Sequence, residues 1–298
     1  MPPMKTFVLV LTADAASGAL DDDVASRASA IARANGRWIA PRAAFEIPVS
    51  DVSCRGLAET EFAGRPVDVN IVPADPGRRA KRLLLADMDS TMIEQELVDE
   101  LASIAGLRDE VAAITRAAMQ GELDFRQSLR KRVALLAGLP VSAVETVASR
   151  VRLMPGAVPL VARMRGAGAF TALVSSGFTV FVEPVAKRIG FDRAYGNVLS
   201  IDGGRITGQV AEPILDAAGK REILTRLAAE RGLTETSALA VGDGANDIEM
   251  LQSAGLGVAF RAKPAVRAAM RSAPHGAVVD HAGLTALLHL QGLTVLTD

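Results

Sequence analysis

Residues Leu83–Thr91 read Leu-Leu-Leu-Ala-Asp-Met-Asp-Ser-Thr, and the fold turns on how this stretch is read. Three leucines and an alanine run without interruption into two carboxylates, Asp87 and Asp89, one residue apart. A short apolar run with no polar alternation suits a strand buried on both faces of a sheet. In an open α/β sheet, ligands bind at the carboxyl ends of the strands, so the two acids should emerge at a functional edge. Taken alone, an Asp-x-Asp pair reads equally well as a solvated acidic turn.

Downstream stretches have related forms. Leu173-Val174 runs into Ser175-Ser176-Gly177, and Val241 runs into Gly242-Asp243-Gly244-Ala245-Asn246-Asp247. Lys220 stands at the start of a helical pattern. Helical patterns over residues 158–166, 181–189, 220–231, 247–254, 265–272 and 284–290 surround strand patterns over 170–174, 238–241, 257–260 and 277–279. Residues 197–210 read as a hairpin turning at Asp202-Gly203-Gly204. Helix–strand alternation of this kind predicts an α/β protein with a doubly wound parallel sheet.

Two segments fall outside that alternation. Residues 94–153 are helical, broken at Gly106, Gly121 and Gly138, with a last helix over 141–151 that Ser142 and Glu145 would cap. This insert is predicted to cover the strand ends, hinging at Gly106, Gly121, Met92–Glu94 and Met154–Gly156. Residues 1–78 read as a small α+β unit plus linker, ahead of the main domain over 79–298. Its strand patterns lie at 6–11 and within 38–47, 52–62 and 67–72, and a helix opens at Asp21-Asp22-Asp23. Pro73, Pro76, Gly77 and the basic run 78–82 read as a polar, solvated linker.

Composition narrows the function. The 298 residues suggest about two domains, and 49% apolar with 22% charged content fits an ordinary globular core. A net charge of −1 provides no global attraction for nucleic acid or an anionic membrane. Cys54 is the single cysteine, so no disulfide forms within the chain, and no arginine follows six positions later as a cysteine-phosphatase loop requires. His275, His281 and His289 lack zinc spacing. The apolar run near the N-terminus is too short for a signal peptide and nothing approaches a membrane helix, so the cytoplasm is the expected location.

The strand-end residues fit phosphoryl transfer. A phosphate and an attacking carboxylate together carry a negative charge that must be offset. Mg²⁺ takes hard oxygen ligands, often one or two carboxylates plus the substrate phosphate, and Asp87 and Asp243 can supply them. Ser175 and backbone N–H groups can hold phosphate oxygens, and Lys220 adds a point charge. Asp87 is the expected nucleophile and Asp89 the acid/base, since one carboxylate raises the pKa of its neighbour. Within the insert, at about 100° per residue, Leu129 and Leu136 lie within about 40° of Phe125 and Arg132 about 20° to the other side. Arg126, Arg130 and Lys131 point away from this stripe. An inward arginine suits a bidentate carboxylate ligand, or a structural ion pair with an acid of the insert.

The order DMDST, VSSG, Lys220 and GDGAND resembles the haloacid dehalogenase superfamily of phosphotransferases. More narrowly, residues 83–260 resemble its phosphoserine phosphatase family, in ADMDSTMIEQELVDELA, MQGELDFRQSLRKRVALLAGLP and VGDGANDIEML. The resemblance implies Mg²⁺-dependent hydrolysis of phosphoserine, a small-molecule substrate, to L-serine as the last step of serine biosynthesis, by an aspartyl-phosphate on Asp87. Mg²⁺ would be held by Asp87, the carbonyl of Asp89, and Asp243. Ser175, Ser176, Gly177, Lys220 and Asn246 would contact phosphate or nucleophile, with Asp247 supporting the loop. Arg132 would take the serine carboxylate and Glu96 the amino group; the residues alone do not choose Glu96 over Glu94, Asp99 or Glu100. Met119 and Phe125 would wall the pocket, though both suit a plain core role. Met88 stands where the family usually has Phe, and Ser176 where a second Gly is common. Residues 1–72 resemble the ACT-type amino-acid-binding domains that precede some of these phosphatases, and a homodimer is compatible with the resemblance. A related enzyme for another small phosphomonoester, and a ligand-sensing protein, are the neighbouring readings.

Overall fold

The computed structural model describes residues 6–119 and 122–295, with the side chain of Met119 also outside the description. Among the described residues twelve strands form two sheets and a hairpin: β1 Phe7–Thr12, β2 Arg37–Ala40, β3 Ala44–Val49, β4 Asp68–Pro73, β5 Leu83–Ala86, β6 Phe170–Phe178, β7 Arg193–Asn197, β8 Leu199–Asp202, β9 Arg205–Val210, β10 Ala238–Gly242, β11 Leu256–Phe260 and β12 Gly276–Val279.

The larger sheet has the order β12-β11-β10-β5-β6-β7, and its pairings are parallel. Along β5 the residues alternate between two cores: Leu84 and Ala86 pack on one side, Leu83 and Leu85 on the other. Both faces are covered by helices, which is why the strand reads as continuous apolar sequence. The strand order reverses at β5, so its carboxyl end opens into the crevice where ligands bind in such sheets.

Helices Leu97–Ile104, Arg108–Met119, Phe125–Leu135 and Val141–Ser149 lie between β5 and β6 in sequence and form a lid. The two connections to this lid pair with each other. Ile93 bridges Leu153, Met154 N–H donates to Met92 O (2.9 Å), and Glu94 N–H donates to Arg152 O (3.0 Å). Ser142 is not the cap of the last lid helix. Pro140 holds that position without a side-chain bond, because a proline already supplies the extended backbone that precedes a helix. The hairpin β8–β9 supports the lid through Gly138 N–H to Ile206 O (2.8 Å) and Ile206 N–H to Leu139 O (2.9 Å). Strand β7 carries no strand signal in the sequence because Gly196 interrupts it.

The N-terminal unit runs β1, helix Asp22–Ala32, β2, β3, helix Cys54–Glu61, β4, a βαββαβ order with sheet order β2-β3-β1-β4. The strand expected over 52–62 is therefore a helix. Cys54, Ala58 and Phe62 are all buried at four-residue spacing, a helical period that outweighs the strand-like composition. Strand β1 is covered on both faces: Leu9 and Leu11 face the unit's own helices, whereas Val8 and Val10 join the core of the larger sheet. The side chain of Asn70 acts as a strand edge. Its amide donates to Val278 O (2.8 Å) and accepts from Val278 N–H (2.8 Å). Asp68 accepts from the N–H groups of Asp280, His281 and Ala282. Edge strand β12 is thus covered rather than left to pair with another chain.

Most of the linker is exposed, as expected, with Arg79 and Lys81 the exceptions. Pro76–Arg79 forms a short helix, and Arg79 and Lys81 are buried. Arg79 pairs with Glu46 (2.7 Å) and donates to Leu290 O (2.8 Å), because the chain must pass between two packed sheets here. No helix among the described residues is long and apolar enough to cross a membrane.

Candidate active site

Beyond β5, Asp87 N–H continues the ladder by donating to Val241 O (2.9 Å), and the chain then turns sharply. Met88 O accepts from the N–H groups of Thr91, Met92 and Ile93. Ser90 sits at φ 55°, the left-handed region a side chain seldom adopts. Its N–H donates to Gln95 O (3.2 Å) and its Oγ to Glu96 Oε1 (2.8 Å). This turn aims Asp89 and Glu96 into one cavity of about 190 Å³.

Asp87, Asp89, Glu96, Phe125, Arg132, Ser175, Ser176, Gly177, Asp243 and Asn246 all line that cavity. Residues from β5, β6, the loop after β10 and the lid thus meet in one place. Lys220 and Asp247 stand behind them. Lys220 Nζ donates to Asp87 Oδ1 (2.5 Å) and to Asp247 Oδ1 (2.7 Å), and Asp247 Oδ2 accepts from Gly244 N–H (3.0 Å). Gly242 leaves room for this acid: a Cβ there would lie 2.5 Å from Asp247 Cγ. The side chain of Met119, and Gly121 as a hinge, lie outside the described residues.

Each acid is perturbed for a stated reason. Burial first, then the charge of Asp247, holds Asp87 well above the usual carboxylate range. Burial and the Glu96 charge push Asp89 up to about 7, against the N–H of Leu97, which donates to Asp89 Oδ1 (2.9 Å). Burial and Asp247 push Asp243 up to about 6. Burial alone would lower Lys220, but Asp247 and Asp87 outweigh it, so Lys220 stays charged.

Asp87, Asp243 and Asp247 place carboxylate oxygens within 4.8 Å of one another. Both oxygens of Asp247 already accept protein donors, whereas the nearest cation to Asp243 among the described residues is Lys263 Nζ at 3.9 Å. No backbone N–H among the described residues donates to Asp89 O. Asp87 and Asp243 thus offer carboxylate oxygens that a hard divalent cation could take, and three acids facing Lys220 and the more distant Lys263 leave a negative charge for it to offset.

The lid completes the cavity. Burial lowers the pKa of Arg132, and its Nε has no acceptor among the described residues. Arg126 and Arg130 pair outside the cavity with Asp216 and Glu212. Glu94 pairs with Arg152 (2.6 Å) on the outer side, which leaves Glu96 as the glutamate in the cavity. Ser175 Oγ accepts from Gly177 N–H (2.9 Å) and donates to Asp89 Oδ2 (3.3 Å).

Two cavity-related residues escaped the sequence reading. Lys263 lines the cavity just beyond the carboxyl end of β11; extending the strand-end rule to that strand would have found it. Buried Asn197 donates to Ser176 O (2.7 Å) and accepts from Leu215 N–H (2.7 Å), tying the carboxyl end of β6 to the approach of the Lys220 helix. No local pattern marks it.

The fold and site are those of a doubly wound α/β protein with a carboxylate pair at the switch point of its sheet, backed by a buried lysine and roofed by a lid. The chain belongs to the haloacid dehalogenase-like hydrolase family, whose model matches residues 84–252. A phosphoserine phosphatase of Streptomyces coelicolor is 46% identical over 85% of this chain and 62% of that protein. Among solved structures, a HAD family hydrolase of Salmonella enterica superposes with TM-score 0.82 at 28% identity, covering 95% of this chain and 98% of the other. A phospho-aspartyl intermediate analogue of phosphoserine phosphatase superposes with TM-score 0.65 at 39% identity, covering 70% and 98%. The chain spans 60% to 63% of the length of three curated phosphoserine phosphatases it matches.

Proposed function

We propose that this chain is an Mg²⁺-dependent phosphoserine phosphatase that hydrolyses O-phospho-L-serine through an aspartyl-phosphate on Asp87. One observation carries the reading: a single cavity holds the acids Asp87, Asp89 and Asp243 beside an anion, Glu96, and a cation, Arg132. Those are the charges needed to meet a phosphate, an ammonium and a carboxylate together. The similarity to phosphoserine phosphatases supports the same reading.

In the proposed reaction, an Asp87 oxygen attacks phosphorus as the bond to the serine oxygen breaks. Lys220 fixes the rotamer of the nucleophile. Asp89, protonated up to about pH 7, delivers its proton to the leaving serine oxygen. As a carboxylate it then takes a proton from water, whose oxygen attacks phosphorus and releases Asp87. Leu97 N–H and Ser175 Oγ hold Asp89 in place for both transfers. Asp87, Asp243 and the Asp89 carbonyl would hold Mg²⁺, which supplies positive charge to the phosphoryl oxygens. The lid excludes water, which strengthens the contacts of Glu96 and Arg132 with the serine moiety. In the same proposal residues 1–78 are a separate ACT-like unit with its linker, and 79–298 the phosphatase unit with its lid over about 94–153.

The test is phosphate release from L-phosphoserine and from a panel of small phosphomonoesters, by wild type and Asp87→Asn, with and without Mg²⁺. L-phosphoserine should rank among the best substrates, with release dependent on Mg²⁺ and abolished in Asp87→Asn. A variant as fast as wild type overturns the mechanism; poor turnover of L-phosphoserine beside good turnover of another ester overturns the substrate.

A further inference from the structure

On the far side of the larger sheet from Asp87 lies a cavity of about 440 Å³, more than twice the volume of the catalytic one. It opens between the N-terminal sheet and the amino ends of β11 and β12, at Leu256 and Gly276. Its size falls within the roughly 300–1,000 Å³ of small-molecule sites, which favour such unit junctions.

The lining is apolar and cationic. Phe7, Val52, Ile71 and Leu256 provide walls, and Val52, 51% exposed, stands at the rim. Arg55, Arg78, Arg79, Lys81 and Arg271 also line it, and no Asp or Glu does. Glu46 offsets Arg79, and Glu59 serves both Arg55 and Arg271. Arg78 and Lys81 have no carboxylate partner among the described residues. Lys81 is only 7% exposed, and its Nζ donates to two carbonyls, Arg78 O (2.6 Å) and Thr236 O (2.9 Å). An ammonium has three donors, so one remains. Buried lysines are nearly always paired with an anion. Here burial with no anion to offset it draws the Lys81 pKa down to about 8.

We propose that this cavity is a binding site for a small organic anion with an apolar body, its carboxylate or phosphate-type group seated between Lys81 and Arg78. Inorganic phosphate alone gains nothing from the apolar walls, and a neutral molecule leaves the two cations unmatched.

Calorimetry on the full chain tests this with phenylbutyrate and phenylphosphonate as probes, and phenylbutanol and inorganic phosphate as controls. At least one organic anion should bind saturably at one per chain, with the tighter of the two assigning the head group. Phenylbutanol should bind about tenfold or more weakly, the loss expected for a charge-assisted hydrogen bond. Arg78→Ala and Lys81→Met should each weaken the anion by a similar factor, and exposed Arg78 can be removed without threatening the fold. Asp87→Asn should leave binding unchanged. No saturable binding, equal binding of phenylbutanol, indifference to both cation variants, or loss in Asp87→Asn would each overturn the proposal.

Discussion

Lys220 Nζ lies 2.5 Å from Asp87 Oδ1, with both side chains buried at the carboxyl end of β5. The pair is held by Asp247 on the other side of the ammonium at 2.7 Å. Removing the cation leaves two buried acids uncompensated. Lys220→Met is therefore expected to lose about 3–5 kcal/mol of stability without metal, the usual cost of breaking a buried ion pair. Thermal unfolding should show Mg²⁺ restoring part of that loss, because the metal supplies a substitute charge. Recovery that is no greater than the wild type's Mg²⁺ response would count against the shared-charge account.

The acids predict an opposed effect of pH and metal. Asp89 and Asp243 stand at about 7 and about 6, above their unfolded values. A carboxyl raised on folding binds its proton more tightly in the folded state. Its contribution is complete below the unfolded value near pH 4 and is lost as pH rises through the folded values. Metal-free protein should lose melting temperature between about pH 4 and pH 7. Stabilisation by Mg²⁺ should grow over the same range, since ligands must be deprotonated to bind. Melting curves across that window, with and without MgCl₂, check both slopes; a pH-independent Mg²⁺ shift would refute the ligand assignment.

The proposed reading of serine by Arg132 and Glu96, both at the cavity, can be tested one residue at a time. Arg132→Gln should lower kcat/KM for L-phosphoserine by about tenfold to a hundredfold, the worth of a hydrogen-bonded charge. Phosphoethanolamine, which lacks the carboxylate, should be affected little. Glu96→Gln should show the complementary pattern, with phosphoglycolate, which lacks the ammonium, the insensitive substrate. Equal losses on all three substrates would mean that the pair shapes the lid instead of reading serine.

Gly156 marks the exit from the lid at φ 91°, and a Cβ there would lie 3.0 Å from Thr285 N. Gly156→Ala meets both a disfavoured backbone angle and a backbone wall. A loss of about 1–3 kcal/mol in denaturant unfolding is expected. An unchanged midpoint would show that the exit can relax.

Much of the catalytic frame was readable along the chain because each piece is local. The apolar run ending at Asp87, and the glycine-flanked loop at Asp243, declare themselves within one strand and one turn. Arg132 is separated from Arg126, Arg130 and Lys131 by helical period alone, since that angle is set by the backbone. The helix Cys54–Glu61 was legible in principle through the spacing of Cys54, Ala58 and Phe62, but local composition pointed to a strand.

Other features depend on partners far away in sequence. Glu94 and Glu96 have the same chemistry two residues apart, and only the pairing of Glu94 with Arg152 separates them. Asn197 has meaning only beside Ser176 and Leu215, and Lys263 only beside Asp243. Within the basic run 78–82 only Arg79 and Lys81 are buried, and the sequence does not mark them because their acceptors, Glu46, Thr236 and Leu290, come from three distant segments. Backbone geometry and burial periodicity are written over a few neighbouring residues. The burial and charge balance of a side chain are fixed by whatever the folded chain brings against it, and for Lys81 that is two carbonyls and, among the described residues, no acid.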